Sequence, residues 1–230
     1  MTRRIELRIP RLSVVAAIAT PEPEPAPPPA SNSIFICNFE GANNSTVFID
    51  SSAEGNTITR FGNTTIQTAG GQYGLFVDPP YGGLSASRAA GWTPTSSGFT
   101  AECFVSYSSI AFYSNIFVTN LWEFLWDNLP GVLIFGAATG PSGFSGQVNF
   151  TPTIGQVYHL VYEVDSLNRL RIYINGVNVY SVTLLTPFNT ASNPILKIGE
   201  YLNGKMFGVR ISAFARYATD STFAVPSLPF

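Results

Sequence analysis

Residues Tyr158–Val182 read YHLVYEVDSLNRLRIYINGVNVYSV, three β-rich runs separated by two turn signals. Tyr158–Val164 is dense in aromatic and β-branched residues. Asp165-Ser166-Leu167-Asn168 supplies side chains that hydrogen-bond their own backbone in tight turns. Arg169–Ile174 alternates, with Leu170, Ile172 and Ile174 on one face and Arg169, Arg171 and Tyr173 on the other, the period of two that marks a strand. Asn175-Gly176 follows. Asn-Gly between alternating strands is the strongest short hairpin signal, because a type I′ turn needs positive φ at both central residues. Val177–Val182 returns as a third strand, so the stretch predicts an antiparallel meander.

The same grammar extends outward from Ser31. Strands are expected near 33–39, 46–49, 57–60, 64–67, 73–77, 83–87, 99–107, 111–118, 121–126, 131–136, 145–150, 157–164, 169–174, 177–184, 194–198 and 205–213. Gly, Asn, Ser and Pro clusters separate them, and no segment sustains a 3.6-residue period. Many short strands with frequent turns predict an all-β, two-sheet antiparallel sandwich over residues 31–230, without a second domain boundary or internal repeat. Hydrophobic residues make up 45% of the 230, enough for a large core, whereas charged residues make up only 11%, well under the usual quarter. The surface therefore falls to Ser, Thr, Asn, Gln and Gly. The only lysines are Lys197 and Lys205. Lysine commonly guards exposed sheet edges, so its scarcity points to edges covered by neighbours and to a homo-oligomer. The net charge of −2 gives no bulk attraction to nucleic acid or acidic membrane.

Residues 1–30 have a different character. Arg4–Ile9 alternates charged and apolar residues and reads as a short strand. Leu12–Ala19 is apolar but far shorter than the roughly 20 residues that span a bilayer. Pro21–Pro29, PEPEPAPPP, is expected as extended polyproline II, and nine residues at about 3.1 Å give a spacer of roughly 28 Å. Two readings compete. Basic residues, an apolar run and Ala17-Ile18-Ala19 resemble a secretory signal peptide, although Glu6 and Pro10 interrupt the basic region. The favoured reading is a docking arm. In it Ile5, Leu7 and Ile9 add to a partner's sheet edge or groove, and Arg3, Arg4, Arg8 and Arg11 supply salt bridges.

A family likeness rests on residues spread in order over 33–230. Phe39-Glu40-Gly41-Ala42, Phe48-Ile49-Asp50-Ser51-Ser52 and Gly55-Asn56-Thr57-Ile58-Thr59 resemble the opening of concanavalin A-like lectin/glucanase (laminin G-like) domains of bacteriophage virion structural proteins. Phe99–Val105, Tyr158–Val161, Leu170–Gly176 and Leu196–Gly199 resemble later strands of that family. Val209–Ser212, Ala215-Arg216-Tyr217 and Pro226–Phe230 resemble its closing segment. The resemblance implies a jelly-roll sandwich and leaves function open, since the fold hosts lectins, glycosidases and purely structural modules.

The residues narrow those classes. The Glu-x-Asp-x-x-Glu strand motif of the superfamily's retaining glycosidases does not occur. Glu123 and Asp127 on one strand face would stand roughly 13 Å apart, beyond the 5–5.5 Å or 6.5–9.5 Å that glycoside hydrolysis uses. Glu163 and Asp165 are better spaced but enter a turn, where solvated residues are expected. His159, the only histidine, is expected to pack. No catalytic residues are therefore assigned. Laminin G-like relatives often carry an acidic pair that binds calcium. Here Phe207 and Gly208 stand in its place, and Asp50 before Ser-Ser reads as a turn-former, so no metal or other cofactor is expected. Cys37 and Cys103 lie in apolar strand-like runs and read as buried thiols. Sugar binding needs exposed aromatics. Tyr81 in PPYGG and Trp92 in AGWTP are the candidates, while Trp122 and Trp126 read as core.

The resulting expectation is a non-enzymatic virion protein, a capsid decoration or a tail fibre/adaptor. Residues 1–30 would anchor it to other virion proteins at the virion surface. The alternative is a carbohydrate-binding module for host-surface adsorption, with a host glycan as partner.

Overall fold

The computed structural model describes residues 32–69, 72–110, 113–129, 131–137, 143–186 and 195–230 of the chain, with the side chains of residues 69, 72 and 78–81 outside that set. The arm expected at residues 1–30 lies outside the described residues.

Thirteen strands occur among the described residues: β1 (Ser33–Cys37), β2 (Thr57–Ala69), β3 (Gln72–Ser87), β4 (Phe99–Tyr107), β5 (Ser114–Val118), β6 (Trp122–Asp127), β7 (Val132–Ala137), β8 (Phe144–Asn149), β9 (Val157–Val164), β10 (Arg169–Ile174), β11 (Val177–Thr183), β12 (Ile195–Ile198) and β13 (Gly204–Ser212). Hydrogen bonding runs in the order β11-β10-β9-β4-β13-β3-β12-β5-β6-β7-β8, with β1 also on β13 and β2 on β3. All recorded strand pairs are antiparallel. β13 is where the sheet folds over. One of its edges pairs with β4 from Gly204 to Ser212, while the other is shared between β3 at Gly204–Met206 and β1 at Val209–Ser212.

The two halves close face to face through aromatic contacts. Trp122 of β6 stacks on Tyr162 of β9 at 5.3 Å, Tyr107 of β4 meets Trp126 at 5.2 Å, and Phe135 of β7 meets Tyr180 of β11 at 4.7 Å. Such ring pairs add to the stabilisation from the apolar area they bury. Period-two alternation places Leu170 and Ile172, and on β4 Phe99, Ala101, Cys103 and Val105, in this core. The expected meander is present. Asn175 and Gly176 take φ of 51° and 76° at its second turn, and Asn168 takes 59° at its first.

Two expectations change. The segments expected at 57–60 and 64–67 form one strand, as do those at 73–77 and 83–87. Gly62 pairs with Gly82 and Thr64 with Val77, so residues 78–81 bulge out opposite Asn63. That excursion admits Pro79-Pro80, which cannot donate to a ladder. Residues 46–49 form no strand. Val47 and Ile49 are exposed. Beside them Asp50 organises a turn, accepting from the backbone N–H of Ser52 at 2.9 Å and Asn56 at 2.7 Å, and from Ile36 N–H of β1 at 2.9 Å.

The C-terminal segment after β13 forms a third layer over the outward face of β10-β9-β4-β13. Asn178 N–H donates to Ser221 O (3.0 Å), Phe223 N–H to Gly176 O (2.9 Å) and Phe230 N–H to Asn38 Oδ1 (3.0 Å). Tyr217 and Phe223 stack with ring centres 3.6 Å apart. Gly208 makes room for the strap, because a Cβ there would lie 2.6 Å from Leu228 Cδ2.

Candidate functional site

The sandwich has two outward faces, and the strap covers one of them. Beneath it lies a buried ionic cluster centred on Glu102 of β4, which is fully inaccessible. Its carboxylate accepts from Arg210 Nε (2.7 Å), the Tyr217 hydroxyl (2.6 Å) and His159 Nε2 (2.9 Å). Burial alone would raise its pKa, but the His159 hydrogen bond and the charges of His159 and Arg210 hold it down to about 2. Arg210 also lies over the Phe230 ring at 4.3 Å. A second carboxylate, Glu163 of β9, accepts backbone N–H bonds from Tyr217 (2.9 Å) and Ala218 (2.7 Å) and the Thr100 hydroxyl (3.1 Å). Burial outweighs these bonds and raises its pKa.

His159 is thus a packing residue, as expected. Glu163 is not the solvated turn residue expected, because the strap caps the end of β9 and Glu163 is fully buried. Asp165 does form the turn, accepting from Leu167 N–H at 2.8 Å and Arg169 N–H at 3.0 Å. Glu102 and Glu163 pin the strap through Tyr217 and Ala218. An acidic side chain at position 208 would have to displace the Leu228 and Phe230 side chains of the strap. Cys37 and Cys103 each pair with Val209, from opposite sides of β13. Two strand spacings of about 4.8 Å put their Cα atoms roughly 9.6 Å apart, too far for a disulfide. Both thiols are buried, and burial pushes Cys37 up to about 12.

The other outward face, on β12-β5-β6-β7-β8, is not crossed by the strap. At one end of it Thr119, Asn120, Leu121, Trp122, Glu123, Gly136, Ala137 and Phe144 line an open groove of about 200 Å³. The Thr119 hydroxyl accepts from Leu121 N–H (3.0 Å) and Trp122 N–H (2.9 Å), fixing the β5–β6 turn that forms one wall. Gly136 lies opposite Glu123 in the ladder. A Cβ at 136 would stand 3.1 Å from Glu123 Oε1, so the glycine lets the carboxylate lie along the groove floor. Phe144 is half-buried and packs on Phe135 at 6.4 Å. Among the described lining residues Glu123 carries the only charge. The groove thus offers a carboxylate acceptor and the Asn120 amide, while Phe144, in register with Ala137 and Trp122, faces the core.

The structure brings none of the sugar-binding candidates from the sequence into this groove. Trp92 is a correction. It is fully buried, edge-on to Phe35 at 5.7 Å, and its carbonyl accepts from Trp122 Nε1. Its loop folds inward, so no ring face is open for stacking. Tyr81 lies on the β3 excursion, two residues before Gly83, and its side chain is outside the described residues. Arg3, Arg4, Ile5, Leu7, Arg8, Ile9 and Arg11 are also outside them. Trp122 and Trp126 are core, as expected. Sequence reasoning missed the groove because its parts come from three separate turns and strands. The one local signal was the alternation Trp122-Glu123-Phe124-Leu125-Trp126-Asp127, which already sends Glu123 outward.

A family model of the concanavalin A-like lectin/glucanases superfamily matches residues 78–220, more than half of the chain. The chain belongs to this superfamily. Solved structures with a similar fold include the binding domain of botulinum neurotoxin DC in complex with rat synaptotagmin II (TM-score 0.61, 11% identity, 81% of this chain and 49% of that one). The botulinum neurotoxin type G receptor-binding domain is also similar (0.57, 17%, 80% and 48%). A third is the structure of botulinum neurotoxin type C, whose cell entry is dependent upon interaction with two ganglioside molecules (0.59, 10%, 81% and 49%). At such identities the likeness shows the fold alone. The superfamily chain spans about half the length of these structures. No curated relative matches it.

Proposed function

We propose that this chain is a non-enzymatic binding module that takes carbohydrate on the open face of its sandwich. The observation that carries this reading is the asymmetry of the two faces. The chain's own C-terminus occupies one, while the other presents the Glu123 groove on rigid strands. A sugar hydroxyl can donate to the Glu123 carboxylate, and an Asn120 amide can fix a second hydroxyl. Sites of this kind, a concave surface with few placed polar groups, are typical of small-ligand recognition. Binding rather than hydrolysis fits because Glu102 and Glu163 are spent on the strap and Glu123 has no second carboxylate among the described lining residues. A botulinum neurotoxin DC binding domain in complex with SialylT, and a type C neurotoxin whose cell entry depends on two ganglioside molecules, lend support to glycan binding in general and by analogy of fold only.

The sequence adds where such a module would work. The arm and the family resemblance support a bacteriophage virion protein, a capsid decoration or a tail fibre/adaptor held on the particle by residues 1–30. The arm would anchor, and the open face would read the host surface. The test is a glycan array with the full-length chain, repeated with Glu123→Ala. Binding that Glu123→Ala weakens about tenfold or more supports the site, since tenfold is roughly 1.4 kcal/mol and a hydrogen bond to a charged group is worth about 1.5–3 kcal/mol. A blank array, or binding untouched by the substitution, would remove it.

A further inference from the structure

At the far end of the same face, Tyr113 and Tyr201 form an aromatic pair with ring centres 5.1 Å apart and planes inclined at 52°. Tyr113 is 46% exposed. Tyr201 sits at φ 62°, a left-handed backbone that bulky residues seldom adopt and that tends to persist at ligand sites. The surrounding backbone holds it there. Leu202 N–H donates to Gly199 O (3.1 Å), Gly199 N–H to Ile116 O (3.1 Å) and Asn115 N–H to Glu200 O (2.8 Å). Polar groups stand beside the rings, where Glu200 accepts from Asn115 Nδ2 at 2.9 Å and from Lys197 Nζ at 2.7 Å.

We propose that Tyr113 and Tyr201 are a second, ring-stacking subsite, and that the ligand is an extended uncharged oligosaccharide lying between it and the Glu123 groove. This rests on the carbohydrate reading above. Two observations set the ligand class. Tyr113 immediately precedes Ser114, and β5 then runs to Val118, the ladder partner of Glu123. Five residues at about 3.4 Å separate the two ends by roughly 17 Å, longer than one sugar ring. The strip also carries Glu123, Asp127 and Glu200 against Lys197, three carboxylates to one ammonium, and Lys197 is already paired with Glu200. A sialylated or sulfated chain would meet like charge there, whereas neutral sugars meet acceptors for their hydroxyls.

The experiment uses the full-length chain, an array holding neutral, sialylated and sulfated glycans, and calorimetry on length ladders of the neutral binders. Affinity should rise with length, and acidic capping should abolish binding. Tyr113→Ala/Tyr201→Ala should cost the longest ligand about tenfold while leaving the shortest within about twofold. Tyr201→Gly, a residue at ease at positive φ, should give the same pattern in a chain that folds at least as well. No dependence on length, no effect of either variant, or equal binding of acidic glycans would overturn the second subsite or its ligand class and leave the groove reading standing. A blank array would overturn the carbohydrate reading itself.

Discussion

Glu102 shows how much of this protein turns on single buried groups. Its carboxylate sits in the outward face of β4, inaccessible to water, between Arg210 and His159. Ionic groups in such a place stabilise little relative to an apolar core, but removing one partner leaves the other charged and unmatched. Glu102→Gln is therefore expected to cost roughly 3–5 kcal/mol at neutral pH, measured by denaturant unfolding. The sign of its pH dependence follows from the depressed pKa. The folded value, about 2, lies below the unfolded value near 4.5. The contribution of Glu102 is thus complete above about 4.5 and disappears as pH falls through about 2. The gap between wild type and Glu102→Gln should close over that window, and a gap independent of pH would contradict the charge argument. Glu163 has the opposite sign. Its raised value means that its contribution declines as pH rises above the ordinary carboxylate range. The cysteines give a simpler check. With buried thiols and Cys37 pushed up to about 12, a thiol reagent should find no reactive group in the native chain and two after denaturation.

At the scale of elements, the meander joins the two layers that matter. Its Asn175-Gly176 turn fixes the register of β10 and β11 and also holds the strap, through Phe223 N–H to Gly176 O at 2.9 Å. A Cβ at position 176 would stand 2.3 Å from the Phe223 carbonyl oxygen. Gly176→Ala thus combines a left-handed backbone penalty of about 1–2 kcal/mol with overpacking of roughly 1–3 kcal/mol. It should lower thermal stability and expose the C-terminal segment to limited proteolysis before the sandwich unfolds. Equal protease resistance would show that the turn does not hold the strap. The turn itself was legible, because Asn-Gly and two-residue alternation are local signals. The strap's contact was not, because it joins residues 176 and 223 through tertiary packing. For the same reason the strand face that carries Arg171 and Tyr173 gave no local sign that both are buried. Period two reports which residues share a face, but it does not report what later covers that face. Trp92 fails in the other direction. Gly and Pro around it signalled a loop, and the loop turns its indole inward. The groove and the tyrosine pair were invisible because Glu123, Gly136 and Phe144, or Tyr113 and Tyr201, meet only once strand order is known.

At the scale of the whole molecule, the chain divides into a sandwich with its own core and a compositionally distinct N-terminal segment, and the proposed function needs both. Among the described residues the core includes Phe35, Trp122, Tyr162 and Leu170. The strap, too, anchors to β9, β10 and β11 and to Asn38. On the docking-arm reading, a chain lacking residues 1–30 should fold with a melting temperature within a few degrees of the intact protein, since changes away from the packed core usually shift stability by no more than about 0.5 kcal/mol. If the arm is the anchor, the same deletion should abolish recovery of the protein with purified phage particles while leaving glycan binding unchanged. That separation of effects is what a spacer of roughly 28 Å predicts, because it places anchor and receptor face on independent parts of one chain. Replacing Ile5, Leu7 and Ile9 with Ser should reproduce the loss if strand addition supplies the attachment. Charge reversal at Arg3, Arg4, Arg8 and Arg11 should instead weaken attachment most at low salt and less as salt rises, because the repulsion it creates between exposed charges is screened over about 10 Å at 0.1 M ionic strength. Continued incorporation of the truncated chain would move attachment to the sandwich. Its open face would then have to serve the particle rather than a glycan, and the two readings would compete for the same strip of β5 and β6.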